Sequence, residues 1–224
     1  MSILLASASP RRAELLEALG VSFTIVPAEV AERVLPGEPP DHTACRLAAA
    51  KARAVCALAE DALVVAADTL VVLDGTVLGK PRDAQQAIEM LAALRGREHL
   101  VHTGLAVGKA GALTLQLATS PVVMRNYSAA EIAAYVATGD PLDKAGAYGC
   151  QHPVFHPVET YGNCYANVMG LPLCHLYRLL TQLGATPLRS PLEACPWAIA
   201  HGGCIWSAAI LQAPPTSWQH CPPA

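Results

Sequence analysis

No run of apolar residues in this 224-residue chain approaches the roughly 18 needed to span a bilayer. That excludes a membrane helix. There is no CxxC pair. No basic stripe is present and the formal net charge is −3, which argues against a nucleic-acid partner. The apolar tract in "MSILLASASPRR" lacks a basic leader and is shorter than a secretory h-region. It reads as a first strand, and the protein as cytoplasmic.

What is present is a hydrophobic fraction of 53%, enough for one domain with a sizeable core. Eight cysteines at scattered positions are expected to be reduced, mostly buried thiols.

Strand and helix patterns interleave. Ile3 to Ala6 predicts a strand, and Ser9-Pro10 starts a helix with Leu15, Leu16 and Leu19 inward. Ser22 to Val26 returns as a strand. A helix over about 42–59 places Ala44, Leu47, Ala48, Val55 and Leu58 on one face. "LVVAADTLVVLDG", residues 63–75, is a strand ending in an Asp-Gly turn. A helix follows over 83–94, then paired strands over 99–107 and 113–124. Ser128 with Glu131 forms a capping box, and Pro172 opens a last helix that stops at Gly184. The pattern predicts an α/β fold with a mixed, twisted sheet flanked by helices. From about residue 186 prolines interrupt any regular pattern. We therefore divide the chain into a domain over 1–185 and an irregular extension over 186–224, expected to be a packing strap or partly disordered.

Charges occupy awkward places. Asp68 breaks an otherwise apolar strand, which is costly without compensation. Arg11 and Arg12 open a helix where the macrodipole disfavours cations; they are either solvated or part of an anion site. Lys51 falls on the apolar stripe of its helix, where it either snorkels or finds a partner. Lys80 follows the Asp-Gly hairpin. "DKAGAYGCQ", residues 143–151, holds either a buried ion pair or a ligand-facing loop rich in glycine. Cations around an isolated carboxylate suit a metal-dependent phosphate site.

"LASASPRRAELL", "KAR", "AADTLVVLDGTVLGKPRDAQQA", "DKAGAYGCQ" and "NVMGLPL" together resemble the Maf family of nucleoside triphosphate pyrophosphatases, over about residues 3–184. The resemblance implies a fold like that of inosine triphosphatases. It also implies hydrolysis between the α- and β-phosphates, with Mg²⁺ or Mn²⁺ as cofactor and a possible homodimer. By the same resemblance Asp68 is the catalytic acidic residue, as proton acceptor or metal ligand, and Glu32 lies near the metal. Arg12, Lys51 and Lys80 handle phosphate, and Ser7 sits in the first loop. Arg11, Thr69 and Gln151 match the dTTP/UTP-hydrolysing branch; an amide at Gln151 suits a pyrimidine, whereas a methylated guanine favours an aromatic and a carboxylate.

Three departures from the family pattern stand out. His152-Pro153 and His156-Pro157 stiffen the loop after Gln151 and raise the idea of a metal site. Ala31 thins the acidic pair near Glu32. In the tail Cys195, His201, Cys204, His220 and Cys221 are candidate zinc ligands at spacings that fit no zinc motif. The alternative to an enzyme is a nucleotide-binding regulatory protein of cell division or septum formation, with little turnover.

Overall fold

The computed structural model describes residues 2–59 and 61–213. Its strands are β1 (Ile3–Leu5), β2 (Thr24–Ile25), β3 (Leu63–Leu73), β4 (Thr76–Leu78), β5 (Glu98–Lys109), β6 (Ala112–Met124) and β7 (Val158–Tyr161). They form one mixed sheet in the order β2-β1-β3-β5-β6-β7, with β4 paired to β3. β1 runs parallel to β2 and β3, and the other pairings are antiparallel. The predicted α/β class with a mixed sheet is what forms.

Side-chain alternation along β3 divides the helices between two faces. Leu63, Val65 and Ala67 face Leu15, Leu16 and Leu19 of α1 (Pro10–Ala18) and its C-cap, and Leu173, Leu176, Leu179 and Leu180 of α6 (Leu173–Gln182). Val64 and Ala66 face Ala48, Ala52 and Val55 of α2 (Pro40–Cys56). A second pole of the core joins α3 (Ala84–Leu94) and α4 (Ala129–Ala137) through Leu91, Leu94, Ile132 and Tyr135. α2 seats closely because β5 offers no side chain at Gly104: a Cβ there would stand 2.3 Å from the Ala44 carbonyl oxygen.

Local signals act as the sequence indicates. Asp74 and Gly75 both adopt positive φ, 50° and 77°, and close the two-residue β3–β4 hairpin. Ser128 accepts from the Glu131 N–H while Glu131 accepts from the Ser128 N–H, completing the capping box of α4.

Leu58 and the extension depart from expectation. Leu58 is 76% exposed, because α2 ends at Cys56 and tightens into i→i−3 bonds from Leu58 and Ala59 that turn it outward. Among the described residues past 186 the chain forms three short helices, α7 (Pro191–Ala194), α8 (Pro196–His201) and α9 (Ser207–Gln212). Pro191 and Pro196 stand in the first turn of their helices; proline breaks a long helix but starts a short one. Ala194, Cys195 and Ala198 pack into the core beside α6, so the described part of the extension is a packing strap.

Cys56, Cys164, Cys174 and Cys195 are buried free thiols, and Cys150 and Cys204 half-buried ones. Cys45 is disulfide-bonded, which corrects the expectation of a reduced thiol there. His220 and Cys221 lie outside the described residues. Among the described residues no group of three or more His, Cys, Asp or Glu could hold a metal ion, and no helix is long and apolar enough to cross a membrane.

Candidate active site

β1 ends at Leu5, opposite Val65, and β4 begins to pair only at Val71. Residues 66–70 of β3 therefore lack a strand neighbour on that side. The gap opens at the C-terminal end of the parallel pair and beside the N-terminus of α1, a place where α/β sheets accept ligands. A cleft of about 340 Å³ occupies it, lined by Ser7, Arg11, Arg12, Glu32, Lys51, Asp68, Thr69, Lys80, Lys144 and Gln151 among others. The nine residues that the resemblance points to, Ser7, Arg11, Arg12, Glu32, Lys51, Asp68, Thr69, Lys80 and Gln151, thus all border one cleft, whereas His152, His156, Cys195, His201 and Cys204 do not.

The alternation that splits the core also splits the site. Asp68 points to the side of Val64 and Ala66, towards α2. There Lys51, one turn from Leu47 and Val55, is buried rather than snorkelling. Its Nζ donates to Asp68 Oδ1 at 2.5 Å and stands 2.5 Å from Glu32 Oε1. Burial raises the affinity of Asp68 for protons and outweighs the opposing pull of Lys51 and Arg12. At Glu32 burial acts the same way, but the hydrogen bond and charge of Lys51, with Lys80 and Arg12, prevail and hold it below the usual carboxylate range. Asp68 Oδ2 and Glu32 Oε2 take no hydrogen bond from Lys51.

Thr69 points to the opposite face, towards α1. Arg12 donates from Nη2 to Thr69 Oγ1 at 3.0 Å, from Nη1 to Ser7 Oγ at 3.1 Å and from Nε to the Gly170 carbonyl at 2.9 Å. Thr69 and Thr103 hydroxyls lie 3.0 Å apart, and Thr103 donates to the Asn167 carbonyl at 3.2 Å. With the Thr103 proton so committed, Thr69 donates to Thr103 and accepts from Arg12. Asn167 is fully buried and donates to the Val101 carbonyl and to Ser120 Oγ. Gly170, at φ +106°, offers its carbonyl where a Cβ would lie 3.5 Å from Arg12 Nε.

Around the rim Arg11 pairs loosely with Asp143 at 3.8 Å. Lys144 is buried and spends its three N–H groups on the Asp140 carbonyl, Asp140 Oδ1 and Asp143 Oδ1; its partner within "DKAGAYGCQ", Asp143, is exposed, so the pair is buried at the lysine end alone. Tyr135 donates to Asp140 Oδ2 at 2.6 Å and accepts from the Gly149 N–H, fixing the segment before Gln151. His152 Nδ1 accepts from the Val154 and Phe155 N–H groups, which gives it a turn-forming role. Lys80 is exposed and makes no ion pair within the described residues.

Several supporting residues were not identified from sequence. Arg46 donates to both Glu38 oxygens, at 2.6 and 2.7 Å, and to the Arg33 carbonyl at 2.8 Å. The Arg46 hydrogen bond holds Glu38 down to about 2, and the clamp pins the loop that carries Glu32. Thr103, Asn167 and Tyr135 are equally silent as isolated letters, although Asn167 begins "NVMG".

Five cations and three carboxylates line the cleft: Arg11, Arg12, Lys51, Lys80 and Lys144 against Glu32, Asp68 and Asp143. That excess favours an anionic ligand. The donor set also fits a hard divalent cation. Such ions take one or two carboxylates and fill their remaining positions with water and phosphate, and Asp68 Oδ2 and Glu32 Oε2 are the oxygens that Lys51 leaves over.

The family model described as Maf-like protein matches residues 2–183. A dTTP/UTP pyrophosphatase of Geobacter sp. strain M21 is 47% identical over 187 residues, covering 82% of this chain and 96% of that protein. One from Moorella thermoacetica is 50% identical over 184 residues, covering 81% and 95%. Among solved structures, a nucleoside-triphosphatase / dITP/XTP pyrophosphatase from Mycobacterium abscessus aligns with a TM-score of 0.42 at 17% identity, over 91% of this chain and 95% of that one. With a family match across most of its length and relatives of such identity covered almost end to end, this chain belongs to the Maf family.

Proposed function

We propose that the chain hydrolyses nucleoside triphosphates between the α- and β-phosphates, with dTTP and UTP as substrates, releasing the monophosphate and pyrophosphate. One observation carries the reading. A buried carboxylate, Asp68, is held in a cleft with Arg11, Arg12, Lys51 and Lys80, in a chain 43–50% identical to proteins named dTTP/UTP pyrophosphatase.

A triphosphate carries about four negative charges, and its hydrolysis depends on positioning and charge neutralisation. Arg12 meets that need through the N–H groups not spent on Ser7, Thr69 and Gly170, and Lys80 through an ammonium that makes no ion pair within the described residues. Arg11, paired only at 3.8 Å with Asp143, exchanges that contact for phosphate. Ser7 and Thr69 serve the phosphates by aiming Arg12. Asp68, paired with Lys51 and made more basic by burial, accepts the proton of the attacking water. Lys51 orients Asp68 and balances its charge. Gln151, on the cleft rim, reads the base.

Glu32 and Asp68 would hold Mg²⁺ or Mn²⁺ through Oε2 and Oδ2. A bound ion supplies charge neutralisation at the phosphate oxygens. The same reading expects a cytoplasmic enzyme with no nucleic-acid partner, and a homodimer on size-exclusion chromatography.

The test is a panel of dTTP, UTP, CTP and 7-methyl-GTP with Mg²⁺ or Mn²⁺, following pyrophosphate release. Turnover concentrated on dTTP and UTP is expected. Binding of dTTP without turnover would return the chain to the regulatory role in cell division or septum formation.

A further inference from the structure

Gln151 owes its setting to residues outside the cleft's charged floor. The Cys150 thiol lies 3.5 Å from Gln151 Oε1 and donates to it. Tyr161, at the end of β7, donates to the Cys150 carbonyl at 3.3 Å. Its ring packs edge-on against Tyr165 of α5 (Tyr165–Val168), with centroids 5.2 Å apart. Trp197 of α8 covers both rings, 5.1 Å from Tyr161 and 5.7 Å from Tyr165, and is itself backed by His201 stacked at 3.8 Å. Unbroken contacts therefore run from the extension, beyond the family match that ends at residue 183, to the amide on the rim. Burial pushes the Cys150 thiol up to about 11, so its S–H is present at neutral pH.

With Oε1 engaged by the Cys150 thiol, the Gln151 amide at the cleft lining keeps both of its N–H groups to offer a ligand. Uracil and thymine carry an acceptor, O4, where cytosine carries an amino donor. We propose that Cys150 and Tyr161, backed by Trp197, fix Gln151 as a hydrogen-bond donor and so select keto pyrimidines over aminopyrimidines. Donor facing donor leaves both groups unpaired, the kind of penalty on which specificity rests. Cys150, Tyr161 and Trp197 are positioning residues here, and the inference rests on the pyrophosphatase reading above.

The experiment compares kcat/KM for UTP and CTP in the wild type and in Cys150→Ala, Cys150→Ser, Tyr161→Phe and Trp197→Ala, alongside inhibition by inorganic pyrophosphate. The wild type should prefer UTP. Cys150→Ala should lower the UTP:CTP ratio by about fivefold, the scale of one modest hydrogen bond, and Cys150→Ser, which keeps a donor, should restore it. Tyr161→Phe and Trp197→Ala should move the ratio the same way. Inhibition by pyrophosphate should not change, because the phosphate-facing cations are untouched. A ratio unmoved in Cys150→Ala and Tyr161→Phe would overturn the proposal, as would a wild type indifferent to UTP and CTP. A matching loss of pyrophosphate binding would also overturn it, since that marks general damage. If Trp197→Ala unfolds, as judged by its melting curve, the Cys150 and Tyr161 variants decide. No turnover of any triphosphate by the wild type would instead sink the pyrophosphatase reading, and this inference with it.

Discussion

The ammonium of Lys51 lies 2.5 Å from Asp68 Oδ1, and both residues are buried. The two charges depend on each other unequally. Asp68→Asn leaves Lys51 its contact with Glu32 and removes a buried carboxylate, so melting should stay level or rise while turnover is lost. Lys51→Ala strands a buried carboxylate and should cost about 3 kcal/mol or more of stability together with activity. Chemical denaturation and pyrophosphate release, measured on both variants, check the contrast; an active Asp68→Asn enzyme would remove Asp68 from the mechanism.

Thr103 is not itself part of the cleft lining, yet it accepts the proton of Thr69 and so sets the acceptor side of that hydroxyl towards Arg12. Thr103→Val preserves shape and removes the relay. A rise in KM for dTTP of about tenfold, equivalent to ~1.4 kcal/mol, is expected. Unchanged KM would show that Arg12 is held by Ser7 and Gly170 alone.

Gly104→Ala should be among the most disruptive single changes in the sheet. A new Cβ would stand 2.3 Å from the Ala44 carbonyl oxygen, and backbone cannot give as a flexible side chain can. Overpacking costs typically 1–3 kcal/mol, and here α2 must lift with Lys51 aboard. Melting temperature and activity should therefore fall together.

His99 and His175 give the fold an acid limit. His99 is buried and His175 half-buried, each with a buried Nδ1 that has no partner among the described residues, and burial lowers both to about 4 from 6.5. Between those values the unfolded chain binds protons that the folded one refuses. Stability is therefore level above pH 6.5 and falls as pH drops towards 4, by on the order of 3 kcal/mol per histidine. Urea denaturation across that range should show a slope of about two protons, reduced to about one in His99→Gln.

Much of this architecture is legible in the sequence because local rules and burial agree there. Asp68 stands out because an apolar strand cannot host a charge without a reason. The Asp74-Gly75 turn and the Ser128 capping box depend only on neighbouring letters. Lys51 is legible as an intruder on an apolar stripe, although its two partners are not. What stays hidden is set by distant packing. Thr103 and Asn167 matter because β5 and α5 meet behind Arg12, and Arg46 because Glu38 folds back onto α2. The extension is misread for a different reason: its prolines look like interruptions, but two of them sit in the opening turns of helices. Whether Trp197 reaches Tyr161 is a question of tertiary geometry that no spacing reveals.

The break along residues 66–70 of β3, between Leu5 of β1 and the start of pairing with β4, has a consequence apart from chemistry. Unpaired strand edge is an invitation to a strand from another molecule, and proteins discourage such pairing with charge and cover. Here the deterrent is the site itself: Lys51, Asp68 and Arg12 close over the opening, and Lys80 stands exposed beside it. On the proposed reading, protection of the strand edge and catalysis share one set of residues. Variants that strip the cleft of its cations should lose not only turnover but also resistance to self-association, a liability that light scattering would register.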